Sequence, residues 1–278
     1  MSDIHTFIGD CEGLDEYYLV TVDLMELYSI TDHDDLLYID VRRNHRMDKI
    51  TAIKKQLVKK ATNFTTGGFR PTNSNTESWI GRVYLYKEDE EIPTDNNGKL
   101  MIPLFQVCLE SLPYVPASLQ DTKVLTIFAS ADIPMDLVTN GDNWLIREYK
   151  MNDVLVVKDL VNKASFVKPF PLKSQLIEED YPVWDGGGIP AEIESELLEM
   201  EESGEITDYF DYVKINEGHK IGGYPNFIQS GIDFGEGYEF LIQIASDEKA
   251  NLEIVDSGNM YFAKNSQTGD WKLYCDFY

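Results

Sequence analysis

The chain has 278 residues, 43% of them hydrophobic and 26% charged, and is long enough to bury a sizeable core without disulfide bonds. Its 49 acidic residues outnumber its 24 basic residues, which gives a formal net charge of −25. Such a field repels nucleic acid and anionic membranes and attracts basic partners, although it also favours solubility. The charge therefore excludes nucleic-acid binding and predicts a basic protein or peptide as partner.

The cysteine content and the amino-terminal residues indicate the cellular compartment of the protein. Cys11, Cys108 and Cys275 are odd in number and far apart, so neither a disulfide framework nor a zinc site is predicted. Residues 1–5 lack the basic and apolar regions of a signal peptide, and no stretch approaches the roughly 18 apolar residues of a membrane helix. We expect a cytoplasmic protein that does not contact membrane.

Residues 1–70 are predicted to form an amino-terminal extension of a strand and a helix. The apolar run 36–41 indicates the strand. Spacings of three and four residues predict one apolar helical face, made of Met47, Ile50, Ile53, Leu57 and Ala61. The opposite face is basic: Arg46, Lys49, Lys54, Lys55, Lys59 and Lys60. In so acidic a chain, we expect this face of helix 45–61 to pair with the protein's own carboxylates rather than with nucleic acid or membrane.

From about residue 75 the pattern indicates strands. Residues 91–98 form a turn-rich connector that ends in an Asn-Gly hairpin signal, and the runs 100–109 and 124–129 are typical of buried strands. Residues 271–278 alternate between apolar and polar side chains, which predicts a strand with one buried face. Cys275 falls on the apolar face, so we interpret it as a packed thiol rather than a nucleophile.

The segment 178–218 is the most acidic part of the chain. It contains 14 acidic residues and the single base Lys214, and so contributes −13 of the net charge of −25. Pro190 suits a helix start and Gly204 a helix end, with an apolar stripe at Ile193, Leu197 and Met200. The outer face carries Glu192, Glu196, Glu199 and Glu202. Because these like charges repel one another, they indicate either a contact surface or a merely solvated helix.

An internal repeat links two parts of the chain. Residues 79–81 end in glycine and precede an apolar strand that contains Gln106; residues 221–223 likewise precede a strand that contains Gln243. A glutamine inside an apolar strand needs hydrogen-bond partners, and we expect its amide to bond a neighbouring loop or turn. The sequence predicts repeats at about 75–135 and 215–278, joined by the acidic segment 178–218, although chance similarity between two β-rich segments is the alternative.

Two stretches resemble the YwqG-like family of uncharacterised bacterial proteins. They are residues 90–99 leading into 103–107, and residues 219–229 leading into 240–244. The resemblance covers roughly residues 75–278, within a predicted domain at 71–278. It implies an α+β, mainly antiparallel β architecture, internally duplicated and pseudo-symmetric, with helical additions. The first repeat departs from the family's G-G-x-P pattern, because it has Gly81-Arg82-Val83-Tyr84 there.

The resemblance also implies a function. The family is similar to eukaryotic programmed-cell-death-2-like proteins, which chaperone ribosomal proteins, and its bacterial members often occur in toxin–immunity gene neighbourhoods. Both associations indicate protein binding. Together with the charge, they predict a protein-binding module, either an immunity protein or an assembly chaperone for a basic polypeptide.

Few residues indicate catalysis. The four histidines share no metal-ligand spacing and no nucleophile-elbow motif occurs, so we predict no metal and no cofactor. His219 is the one candidate for a general base, and an enzyme with a small site near it is the alternative function. A structural or oligomerising protein is a third interpretation.

The segment Gly222-Gly223-Tyr224-Pro225 is the best-marked motif. Two glycines permit positive φ or close backbone approach, and an aromatic residue before proline favours a cis bond. The segment is either a tight turn needed only for folding or part of a ligand groove lined by Tyr224, Phe227, Gln229 and Gln243. The candidate binding residues are Gly222, Gly223, Tyr224, Pro225, Phe227, Gln229, Gln243, Trp79 and Gln106.

Overall fold

The computed structural model describes residues 46–72, 74–132, 138–141 and 143–278, together with the backbone of two short strands at 5–8 and 19–22. The predicted strand at 36–41 and Cys11 lie outside the described residues.

The described residues form two α-helices and a set of antiparallel strands. Residues 46–57 are helical and are called α1, and α2 covers Ala191–Glu202. The strands are β1 (His5–Ile8), β2 (Leu19–Val22), β3 (Lys59–Thr66), β4 (Trp79–Ile80), β5 (Leu85–Tyr86), β6 (Ile102–Cys108), β7 (Thr122–Ala129), β8 (Val138–Thr139), β9 (Trp144–Lys150), β10 (Val156–Val157), β11 (Phe170–Asp180), β12 (His219–Gly222), β13 (Tyr238–Ala245), β14 (Asn259–Asn265) and β15 (Trp271–Asp276).

Eleven of these strands make one antiparallel sheet, which curls into a half-barrel. Their order is β8-β15-β14-β13-β12-β3-β11-β4-β6-β7-β9. The strands β3 and β11 pair along most of their length near the middle of the sheet. Outward from β11 the order is β4, β6, β7, β9, and outward from β3 it is β12, β13, β14, β15. The prediction of a mainly antiparallel β architecture is confirmed.

The predicted strands β6, β7 and β15 are present with nearly the predicted bounds. All seven residues of β6 are buried, and Cys275 in β15 is packed in the main core. Burial raises the pKa of the Cys275 thiol to about 12, as expected for a packed thiol. One expectation is wrong: Asp276, predicted on the polar face, is buried. It is buried because its carboxylate accepts the backbone N–H groups of Ile228 and Gln229.

The helices α1 and α2 pack against each other in a second core. It contains Ile50, Ile53, Leu57, Ile193, Leu197 and Met200. The predicted pairing of the basic face with the protein's own carboxylates is confirmed on α1 by two ion pairs, Lys49–Glu205 (3.6 Å) and Lys54–Glu179 (4.0 Å). Lys59 and Lys60, predicted on the same helical face, lie in β3 instead, where Lys60 pairs with Glu178 (2.7 Å).

Two residues of the predicted apolar helical face, Ala61 and Met47, are not on the buried face of α1. The helix ends at residue 57, and Ala61 is buried in β3 instead. Backbone pairing of β3 with β11 and β12 overrides the helical spacing there, and threonines at 62, 65 and 66 favour a strand. Met47 is 45% exposed, so it does not belong to the buried face.

The segment 59–66, on the amino-terminal side of the predicted boundary at residue 70, is a central strand of the sheet. The boundary itself stays a prediction. Within the described part of the chain, no helix combines the length and the apolar character that crossing a bilayer requires.

Candidate functional site

The double glycine at the end of β12 makes a turn that closes onto a carboxylate. Gly222 and Gly223 have φ angles of 80° and 68°, in the region that favours glycine. A Cβ on Gly223 would lie 2.1 Å from Asp180 Oδ2, and this close approach lets the Tyr224 N–H donate to the same oxygen at 2.8 Å. The predicted backbone role of the glycines is confirmed. The expected cis bond before Pro225 is absent, since the described residues contain no cis peptide.

A buried ion pair lies beneath this turn. Lys220 is fully buried, and its Nζ donates to Asp180 Oδ2 at 3.0 Å and to Asn216 O at 2.9 Å. Asn216 Nδ2 in turn donates to Asp180 Oδ1 at 3.0 Å. Burial lowers the pKa of Lys220, and the charge of Asp180 opposes part of that shift. The pair joins β12 to the end of β11 and so fixes the turn in place.

His219 is a structural link rather than an available base. Its side chain is almost fully buried, and its Nδ1 accepts the Ala245 N–H at 3.0 Å. The ring proton is therefore on Nε2, which lies 3.2 Å from Asp247 Oδ2 and donates to it. Burial raises the pKa of Asp247, but hydrogen bonds from His219, Thr66 and the Ala250 N–H outweigh it and hold the pKa well below its usual range. With both ring nitrogens engaged, His219 has no free lone pair for proton abstraction.

We expect Asp247→Asn to lower the free energy of unfolding near neutral pH by about 1.5–3 kcal/mol, because charged hydrogen bonds become neutral ones and the Ala250 N–H loses its acceptor. The folded-state pKa of Asp247 is depressed, so its contribution is present above about pH 4 and is lost as the pH falls through the folded pKa. The difference in the free energy of unfolding between wild type and variant, measured by urea unfolding, should become smaller below about pH 4. Glu248→Gln, at the exposed neighbour, is the control. A difference in unfolding free energy that did not change with pH would contradict the stabilising role of the ionised Asp247 carboxylate.

The two strand glutamines bond loops, as expected. Gln106 Oε1 accepts the N–H groups of Tyr84 and Leu85, each at 3.0 Å. Gln243 Oε1 accepts the Asn226 N–H at 2.8 Å, and its Nε2 donates to Gly218 O at 2.9 Å. Both side chains are fully occupied within the fold and line no cleft described below.

The other candidate binding residues are divided between the interior and a cleft. Trp79 is buried, with the Arg82 guanidinium 4.9 Å from its ring. Tyr224 is buried too, and its hydroxyl donates to Leu57 O at 2.6 Å. Pro225, which follows it, is half-buried. Phe227 and Gln229 line a cleft.

This cleft, called the aromatic cleft, lies between α2 and the loop that follows the glycine turn, and has a volume of about 510 Å³. Its lining residues are Val183, Trp184, Asp185, Leu198, Glu201, Thr207, Asp208, Tyr209, Phe210, Phe227, Ile228, Gln229 and Ser230. Trp184 and Tyr209 pack at 5.5 Å between ring centroids, and Phe210 stands at 5.3 Å from Tyr209. The lining contains three carboxylates and no basic side chain.

Most carboxylates of the segment 178–218 form no ion pair with a described residue. Of the 14 acidic residues in 178–218, four form ion pairs, namely Glu178, Glu179, Asp180 and Glu205. The other ten form none with any described residue: Asp185, Glu192, Glu194, Glu196, Glu199, Glu201, Glu202, Asp208, Asp211 and Glu217. On α2, Glu192, Glu199 and Glu202 are exposed and Glu196 is half-buried. The predicted helix bounds at Pro190 and Gly204 are confirmed, and Ile193, Leu197 and Met200 are buried.

A family profile described as Domain of unknown function (DUF1963) matches residues 79–268. The chain belongs to the DUF1963 family. The matched region begins at β4 and runs past β14, so it includes α2, the glycine turn and the aromatic cleft. No curated protein sequence matches the chain.

Within the DUF1963 region, sequence reasoning missed the aromatic residues Trp184, Tyr209 and Phe210 and the pair Lys220–Asp180. The only signal for the aromatic residues is their occurrence inside a very acidic segment.

Among the residues that the structure describes, no three histidine, cysteine or acidic side chains group closely enough to hold a metal ion.

Proposed function

We propose that this DUF1963 protein binds a basic polypeptide through its acidic face, defined as the outer side of α2 together with the aromatic cleft. One observation carries the proposal. Ten carboxylates of the segment 178–218 form no ion pair with a described residue, and three of them, Asp185, Glu201 and Asp208, line a cleft of about 510 Å³ that has aromatic side chains and no base.

The chemistry of the acidic face suits lysine and arginine side chains. Carboxylates accept charge-assisted hydrogen bonds from both, and a cation over an aromatic ring gains about 0.5–2 kcal/mol depending on its desolvation. Phe210 and Leu198 remain 47% and 44% exposed beside these charges. Both side chains line the aromatic cleft, so exposed apolar surface adjoins its three carboxylates.

An immunity protein or an assembly chaperone fits this chemistry, because each acts by covering a basic target. Such a role agrees with the YwqG-like resemblance, which we retain as part of the proposal. We also propose a cytoplasmic location, in keeping with the buried free thiols Cys108 and Cys275.

We further infer that the two halves of the sheet are copies of one structural unit. In support, the short strand β4 pairs with β6 through Trp79 and Gln106, as β12 pairs with β13 through Lys220 and Gln243. Each glutamine accepts a loop N–H from just after its glycine turn. The acidic face adjoins the second half alone, since its cleft uses residues 227–230 and none of 79–150.

Neutralising the outer face of α2 should slow binding of a basic peptide. We expect the quadruple variant Glu192→Gln, Glu196→Gln, Glu199→Gln and Glu202→Gln to reduce the association rate constant of a fluorescein-labelled hexa-arginine peptide about tenfold, because rim charges act mainly on association. Stopped-flow anisotropy at low salt measures the rate.

The matched control removes the charges of four exposed acids that do not line the aromatic cleft: Glu88→Gln, Asp89→Asn, Glu110→Gln and Asp121→Asn. Both variants change the net charge by the same amount, so the control reports the effect of overall charge alone. The control should slow association less than about twofold. If the two variants slowed association equally, the acidic face would not be the binding surface.

A further inference from the structure

Residues 150–173, called the basic segment, have a net charge opposite in sign to that of the whole chain. The segment contains five lysines and two aspartates, a net charge of +3 within a chain of net charge −25. Both aspartates and two of the lysines are held in ion pairs. Lys163, Lys168 and Lys173 are exposed and form no ion pair with any described residue. The basic segment therefore presents three free positive charges.

The basic segment also exposes apolar side chains. Val154, Val161 and Val157 are 81%, 67% and 57% exposed, which makes them three of the four most exposed large hydrophobic side chains that the structure describes. The main chain beneath them is held in place, since β10 pairs with β5 and Asn162 Nδ2 donates to two backbone carbonyl oxygens on the far side of a turn. Exposed apolar side chains that are concentrated within eight residues are typical of a surface that contacts another protein.

The basic segment and the acidic face complement each other. Each combines exposed apolar side chains with free charges of a single sign: valines and lysines on the basic segment, Leu198, Phe210 and carboxylates on the acidic face. No residue of the basic segment lines the aromatic cleft, and within the described chain no ion pair or hydrogen bond joins the two surfaces. Within one molecule the two surfaces therefore do not satisfy each other, whereas a second molecule can bring them together.

We propose that the acidic face binds the basic segment of a second copy of this chain, head to tail. In this contact Lys163 and Lys168 lie among the free carboxylates of α2, and Val154 and Val161 cover the exposed apolar side chains of the acidic face. This inference rests on the proposed function, because it uses the same acidic face, and it names one partner of that face. Since the two surfaces differ, each contact leaves one surface of each kind free, and further copies can add.

The like net charge of two copies does not prevent this contact. At physiological salt, charges separated by more than about 8 Å are largely screened, whereas opposite charges that meet in the interface are screened much less. The association is therefore governed by the charges of the two surfaces rather than by the total of −25.

Two variants each remove one of the two surfaces. The segment variant carries Val154→Ser, Val161→Ser, Lys163→Gln and Lys168→Gln, all at exposed positions, and the α2 quadruple variant lacks four charges of the acidic face. Sedimentation velocity in about 0.15 M sodium chloride measures self-association. We expect wild type to self-associate with a Kd at or below about 100 µM, and the Kd of each variant for itself to rise about tenfold or more.

An equimolar mixture of the two variants distinguishes head-to-tail contact from other modes. The segment variant supplies an intact acidic face and the α2 variant an intact basic segment, so the mixture should form a 1:1 complex with the wild-type Kd and no larger species. Such a complex also shows that both variants are folded. The α2 variant has a net charge of −21, since four glutamates of a chain at −25 become neutral. Overall repulsion alone would therefore make it associate more strongly than wild type, not less.

The outcomes separate this inference from the proposed function. If the α2 variant self-associates as strongly as wild type, the copies do not meet through the acidic face and the inference is wrong. If wild type binds hexa-arginine peptide but stays monomeric up to about 300 µM, the inference is wrong and the proposed function stands. If the copies assemble as expected but the peptide neither binds nor dissociates them, the acidic face accepts only its own chain, and the proposed function is wrong.

Discussion

Replacing Asp180 with alanine should lower the free energy of unfolding by about 3–5 kcal/mol, the largest loss that we expect from a single side-chain truncation near the turn. The change leaves the ammonium group of Lys220 buried without a counter-charge and deprives the Tyr224 N–H of its acceptor. Guanidinium unfolding followed by tryptophan fluorescence measures the effect.

The chain offers a matched control in an exposed ion pair. Lys60 and Glu178 lie 2.7 Å apart, with side chains that are 54% and 62% exposed. Glu178→Ala should therefore cost less than about 1 kcal/mol, since water screens the pair. Adding Lys220→Met to Asp180→Ala should restore part of the lost stability, because it removes the uncompensated charge. Equal costs at Asp180 and Glu178 would show that the buried pair does not hold the turn.

Gly223→Ala should cost about 3 kcal/mol or more. The left-handed φ of 68° accounts for roughly 1–2 kcal/mol, and the remainder comes from displacing Asp180, whose Oδ2 lies 2.1 Å from the position of the new Cβ. Thermal and chemical unfolding both report the loss.

Gly204 separates the two causes. It has a similar φ of 74°, and a Cβ there would meet no atom within 4 Å. Gly204→Ala should therefore cost only the conformational part, about 1–2 kcal/mol. The larger loss at Gly223 is the signature of close approach to the carboxylate. If the two alanine variants lost the same stability, the close approach of Gly223 to Asp180 would contribute nothing to the stability of the turn.

Much of the secondary structure follows from local patterns. The alternation in β15 and the stripe of α2 between Pro190 and Gly204 reflect one face that packs and one that does not. The continuous apolar runs of β6 and β7 reflect strands that are buried on both faces. The sequence predicts these elements because each pattern involves only residues that are close together in the chain.

The remaining features depend on residues far apart in the chain. The spacing of Ala61 suits a helix as well as a strand, and only its neighbours β11 and β12 decide between them. Lys220 and Asp180 are forty positions apart, so nothing local marks them as a pair. The aromatic cleft joins Trp184, Tyr209 and Phe227 from three separate segments. Sequence reasoning therefore found Phe227 and Gln229 but not the residues opposite them.

The turn and the acidic face have separate tasks. The buried pair and Gly223 fix the path of the chain after β12, and that path places residues 227–230 opposite α2. Most residues of the best-marked motif are thus scaffold, while the proposed contacts with a partner belong to the aromatic cleft that it supports.

The central claim, that the acidic face binds a basic polypeptide by charge attraction, is tested most directly by the salt dependence of association. Hexa-arginine peptide is mixed with wild type and with the α2 quadruple variant at sodium chloride concentrations from about 50 to about 500 mM, a range over which screening rises steeply. We expect the wild-type association rate constant to fall about tenfold or more and that of the variant to fall far less. An association rate that salt leaves unchanged, or that falls equally in both proteins, would contradict the account.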